Sequence, residues 1–129
     1  MGLLQRFLRL FESNDDVRYV TDSSCMKLVK PIHQVIATIR WDEIEEICAY
    51  KADKLTVDEV CIGFRTQSRW YEIGEFHPEF QAVVSVMHRH LNAFPNGWYE
   101  EVELPPFATN YRTLWQRQES ADENEGDSN

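Results

Sequence analysis

Two periods of apolar residues divide this chain. Between residues 17 and 73 apolar side chains alternate with polar ones or run in short β-branched stretches, and from Phe76 onward they return every three or four residues. The first pattern predicts strands at residues 17–21, 26–29, 33–40, 57–65 and 69–73. Pro31 marks a strand end, and Trp41-Asp42-Glu43-Ile44 reads as a tight turn. Residues 44–52 fit a strand, with Ile47, Ala49 and Lys51 alternating against Cys48, Tyr50 and Ala52; Ile44, Ile47 and Cys48 also fit a helical period. The strand is preferred because Ala52-Asp53-Lys54 reads as a hairpin loop leading into residues 57–65, where Val60, Ile62 and Phe64 share one buried face.

The second pattern, Phe76, Phe80, Val83, Val84, Met87 and Leu91, lies on one face of a helix predicted at residues 78–92, with Pro78 in its first turn. A further amphipathic helix is predicted at residues 2–12, where Leu4, Phe7, Leu8 and Phe11, together with Leu3, oppose Arg6 and Arg9. Ser13-Asn14-Asp15-Asp16 ends it. So short a helix gains its stability by docking its apolar face, on its own domain, on a partner or at a membrane surface, though two arginines give a lipid surface little to hold. Asn110 is placed to cap a last short helix at residues 111–116.

Strands followed by a segregated helix define an α+β class. A strongly bent antiparallel sheet, closed at one end by the late helix, would be similar to a pleckstrin-homology barrel. Residues 1–117 read as one domain. Residues 118–129 carry five acids, no base and no large apolar side chain, so they cannot offset their ordering entropy and read as a disordered acidic tail.

Charge narrows the function classes. Acids outnumber bases 22 to 13, for a net charge of -9, which argues against a phosphate backbone as partner and suits a basic protein. No apolar run approaches the roughly 20 residues that cross a bilayer, and Arg6 and Arg9 interrupt any leader-like core. Cys25, Cys48 and Cys61 are odd in number and form no CxxC, which suits reduced thiols and a cytoplasmic location.

Catalytic chemistry finds little footing. His88 and His90, two apart on a helix, point apart; His77 is three turns from His88; His33 sits on another element; no metal or cofactor is expected. Cys48 or Cys61 with His33 could form a nucleophile pair across a sheet, but strand cysteines more often serve as small buried hydrophobes. There is no G-x-S-x-G elbow and no glycine-rich phosphate loop. Carboxylates at Asp42, Glu43, Glu45, Glu46, Asp58, Glu59, Glu72 and Glu75 suit turns and polar strand faces.

Aromatic residues beside arginines are the better candidates. Arg65, Arg69, Trp70, Tyr71, Trp98 and Tyr99 are the residue types enriched where proteins meet, and adjacent aromatics on a strand must face opposite ways. The expected function is therefore a non-catalytic protein-interaction domain. A small-molecule binder or enzyme with an unrecognised pocket and a peripheral membrane protein held by the first helix are the alternatives; oligomeric state is left open.

A motif stands beside these readings. Trp41, Ile44, Ile47, Ala49-Tyr50-Lys51, Asp53, Asp58 and Phe64, followed by Pro105-Pro106-Phe107-Ala108-Thr109-Asn110 and Leu114-Trp115, resembles a pattern in small bacterial proteins of unassigned function. The likeness spans residues 40–115 and implies no catalytic residue. Immunity proteins of bacterial toxin systems are similar in size and layout, which would make the basic partner a toxin.

Overall fold

The computed structural model describes residues 17–32, 34–53, 57–105 and 109–118. The expected helix at residues 2–12, His33 and all but the first residue of the acidic tail lie outside them. Among the described residues seven strands and two helices follow in the order β1 (Arg18–Thr21), β2 (Cys25–Lys30), β3 (Gln34–Arg40), β4 (Glu46–Asp53), β5 (Asp58–Arg65), β6 (Trp70–Gly74), α1 (Phe80–Leu91), α2 (Trp98–Glu103) and β7 (Arg112–Gln116).

The fold is α+β, with two antiparallel sheets where one bent sheet was expected: β1-β2-β3 and β6-β5-β4-β7. The break falls at a 3-10 turn, Trp41–Glu43, where Glu43 Oε1 accepts the Arg40 N–H at 2.8 Å. Trp41 is buried there, its indole N–H donating to Asp22 O at 3.1 Å and its ring stacked on His90 of α1, centroids 4.6 Å apart. The two sheets and both helices contribute to one core, including Met26, Ile39, Ile47, Ile62, Phe64, Phe80, Met87 and Val102.

Strand β5 is central and buried on both faces, which simple alternation does not foretell. Val60, Ile62 and Phe64 face the core as expected; Glu59, Cys61 and Gly63, on the far face, are buried as well. Cys61 pairs with Tyr50 and Cys48 with Gly63, so the two thiols share the far face, one pair apart. No disulfide joins Cys25, Cys48 and Cys61.

Helix α1 presents Phe80, Val83 and Met87 to the core and ends at Asn92, whose left-handed backbone and N–H to His88 O at 2.7 Å close the last turn. Phe76 does not join that face: it lies in the turn before the helix and is 59% exposed. Glu79 ties the start of α1 to β1, accepting the Tyr19 N–H at 2.8 Å and pairing with Arg18 at 3.1 Å. His77 completes this joint. Its Nδ1 accepts the Glu79 N–H at 2.9 Å, so its Nε2 carries the hydrogen that reaches Val17 O at 2.8 Å.

Two expectations fail in the last third. Residues 98–103, without a predicted element, form α2, entered through Gly97 at φ +82°. Residues 111–116 are not a helix: β7 pairs with β4, Trp115 opposite Ile47 and Thr113 opposite Cys48 across a bulge. A free β4 edge offers backbone partners that a single helical turn cannot match. Asn110 accordingly caps no helix; its amide donates to Val102 O at 3.1 Å and Leu104 O at 2.6 Å.

Candidate interaction site

Of the six residues singled out for partner binding, the fold gathers two into a groove and divides the other four between the two faces of the four-stranded sheet. Arg65 and Trp70 are directly opposed on the far face of the four-stranded sheet. Arg65 pairs with Glu46 at 3.3 Å, and Trp70 lies over Gly63 so closely that a Cβ there would sit 2.1 Å from its ring. Tyr71 faces the core side and stacks on Phe64, centroids 5.3 Å apart, with the Arg69 guanidinium 4.9 Å above its ring. The alternation of a strand separates Trp70 from Tyr71 as expected.

Trp98 and Tyr99 stand elsewhere, on α2. Pro95-Asn96-Gly97 turns the chain so that Phe94 and Trp98 meet, centroids 5.3 Å apart, with the Trp98 N–H on Pro95 O at 3.2 Å. His88 of α1 joins them, its Nδ1 accepting the Phe94 N–H at 3.2 Å. Between α1 and α2 this leaves an open groove of about 400 Å³ whose lining includes Val84, His88, Phe94, Trp98, Tyr99 and Glu100. Phe94 is buried, Trp98 and Tyr99 are half-buried, and Glu100, Glu101 and Glu103 line the exposed side of α2. Tyr99 is fixed by donating its hydroxyl hydrogen to Glu75 Oε1 at 2.5 Å; that bond, burial and the Glu75 charge push its phenol up.

Sequence reasoning missed His88 and Phe94 as partners of Trp98. The available signal was the Pro-Asn-Gly turn between two aromatics, which must bring them back toward each other.

A second cleft of about 400 Å³ lies where β3 meets the β5–β6 turn, lined by Thr38, Asp42, Glu43, Glu45, Thr66 and Tyr71, among others. It too is acidic. Bonding to the Arg40 guanidinium, at 2.8 Å, holds the Asp42 carboxyl below its ordinary value, so it stays ionised. Burial pushes the Cys48 thiol up to about 11, opposite to the shift that activates a nucleophile. Among the described residues no group of three or more histidines, cysteines and acids could hold a metal ion. Nor is any helix among them long and apolar enough to cross a membrane.

The motif residues have a structural explanation. Lys51, 6% exposed on the core face of β4, reaches across to α2 and the loop after it. Its ammonium donates to Glu103 O at 2.7 Å and to Pro105 O, and lies 3.7 Å from Asp58 Oδ2. Its backbone N–H donates to Thr109 O at 2.8 Å. With Asn110 bonded to Val102 and Leu104, the two halves of the motif clasp each other and fix the orientation of α2. They therefore hold α2, the helix that carries Trp98 and Tyr99.

No protein-family model, curated protein or solved structure matches this chain.

Proposed function

We propose that this chain is a non-catalytic interaction domain that receives a basic protein partner in the groove between α1 and α2. The observation that carries the reading is the pairing of a half-buried aromatic wall, Trp98 and Tyr99, with the carboxylate of Glu100 in one concavity. A lysine or arginine entering it meets a ring face worth about 0.5–2 kcal/mol and a nearby carboxylate. The surplus of acids speeds encounter with a basic surface. An immunity-type role, with a basic toxin as partner, is the specific version, and the cytoplasm is its setting. The likeness to small bacterial proteins belongs to the same proposal and is supported by the way Lys51 of the first motif half bonds Pro105 and Thr109 of the second. The likeness to a pleckstrin-homology barrel draws support from two antiparallel sheets sharing a core with a late helix; the return of the chain into β7 is a departure from that layout.

Charge reversal tests the groove. Glu100→Lys with Glu101→Lys should weaken partner binding at least about tenfold at low salt, with less difference near 1 M salt, where screening acts within about 3 Å. Equal binding by the reversed and native chains would reject it.

A further inference from the structure

We infer that the far face of the four-stranded sheet is the docking surface for this chain's own amphipathic segment, residues 3–11. That face is built unlike a solvated one. Its floor is Cys48, Cys61 and Gly63, with Cys48 0% and Cys61 2% exposed. Trp70 covers Gly63, and Tyr111 stacks on Tyr50 at 6.0 Å. Both helices and the three-stranded sheet place their apolar side chains in the core on the opposite side. A sheet face floored by thiols and glycine and edged by aromatics is suited to an apolar cover.

The chain enters at the right corner. Val17, the first described residue, is joined through its carbonyl to His77, whose N–H bonds Gly74 O at 3.0 Å. Gly74 ends β6 on the far face, with the Glu59 carboxylate where its side chain would be. Residues 13–16 can extend about 13–14 Å from there. Nine helical residues measure about 13.5 Å, close to the roughly 14 Å across four strands.

Chemistry matches as well as length. Leu3, Leu4, Phe7, Leu8 and Phe11 form one apolar stripe at helical spacing, with Arg6 and Arg9 on the other side. The far face answers it with an apolar centre of thiols and aromatic rings, its carboxylates Glu46, Glu59 and Glu72 being engaged by Arg65, the Phe76 N–H and Tyr50. Membrane surfaces and second copies of the chain are the competing occupants, and each gives a distinct result in the test.

Cysteine alkylation reads the cover directly, because Cys25, on the other sheet, is an internal control. In the full chain carrying Leu4→Asp and Phe7→Asp, N-ethylmaleimide should label Cys48 and Cys61 at least about tenfold faster than in the native chain, with Cys25 unchanged. Unchanged labelling of Cys48 and Cys61 overturns the inference. Should all three thiols speed up together through unfolding, a second measurement decides: a benzophenone amino acid at position 7 of the otherwise native chain. Intramolecular cross-links to residues 46–50 or 59–74 support the docking. Cross-links to the three-stranded sheet or between copies, or co-sedimentation of the native chain with anionic vesicles, overturn it.

Discussion

Replacing Lys51 with methionine removes an ammonium and leaves a side chain of similar length in a site 6% exposed. Methionine fills the space of the aliphatic stem, so little cavity results. What is lost is a pair of charged hydrogen bonds, to Glu103 O and Pro105 O, and an ion pair with Asp58 at 3.7 Å. Hydrogen bonds to charged groups contribute about 1.5–3 kcal/mol each. Glu103 and Pro105 lie at the surface, so water can take up their carbonyls, and the variant no longer desolvates a charge. Together these bring the expected net loss to about 2 kcal/mol. For a domain of about 100 residues that lowers Tm by about 10 °C, and it lowers the urea midpoint by about 1 M. Circular dichroism melts of the full chain measure the first and urea titration the second. Asn110→Ala strikes the same clasp, so the double variant should lose less than the sum of the two singles, with a coupling of about 1 kcal/mol. A Lys51→Met chain melting within about 2 °C of native, or above it, would refute the clasp as a net stabilising device.

Other outcomes follow from single contacts. Gly63→Ala places a Cβ 2.1 Å from Trp70, so the ring must leave its seat; the chain should lose about 1–3 kcal/mol, and Trp70→Ala in the same chain should restore part of it. No loss in the single variant, or no relief in the double, would contradict that packing. Asp22 accepts the N–H groups of Ser24 and Cys25 at 2.7 and 2.9 Å, which hold its carboxyl down at about 2 from an ordinary 3.8. Its folded pKa is depressed, so its contribution is present above about pH 4 and is lost as pH falls toward 2. Asp22→Ala should therefore melt below native at pH 7, with the gap closing between about pH 4 and 2; a constant gap would count against it.

Much of the fold was legible because its periods are strong. The helix at residues 78–92 was found from its stripe, though Phe76 extended the stripe one turn too far: a spacing of four fits a turn residue as readily as a helical one. Strand β5 was found, but its second buried face was not, because Glu59 and Gly63 read as polar or neutral and owe their burial to neighbours, Phe76 N–H on Glu59 and the Trp70 ring on Gly63. The last segment misled for a tertiary reason. Five or six residues such as those at 111–116 have no decisive local preference, and the open edge of β4 decides. The candidate site was half legible. Trp98 and Tyr99 were singled out by type, but their grouping with His88 and Phe94 depends on the Gly97 turn and on Lys51 holding the end of α2, neither of which leaves a periodic trace.

The groove between α1 and α2 is tested most directly by chemical cross-linking of the full chain in its native cells, with the native sequence and Trp98→Ala compared side by side. The interaction reading predicts a stoichiometric basic protein cross-linked around α1 and α2 and absent from the Trp98→Ala sample. A partner held equally by both chains, or cross-linked only to other faces, would contradict it.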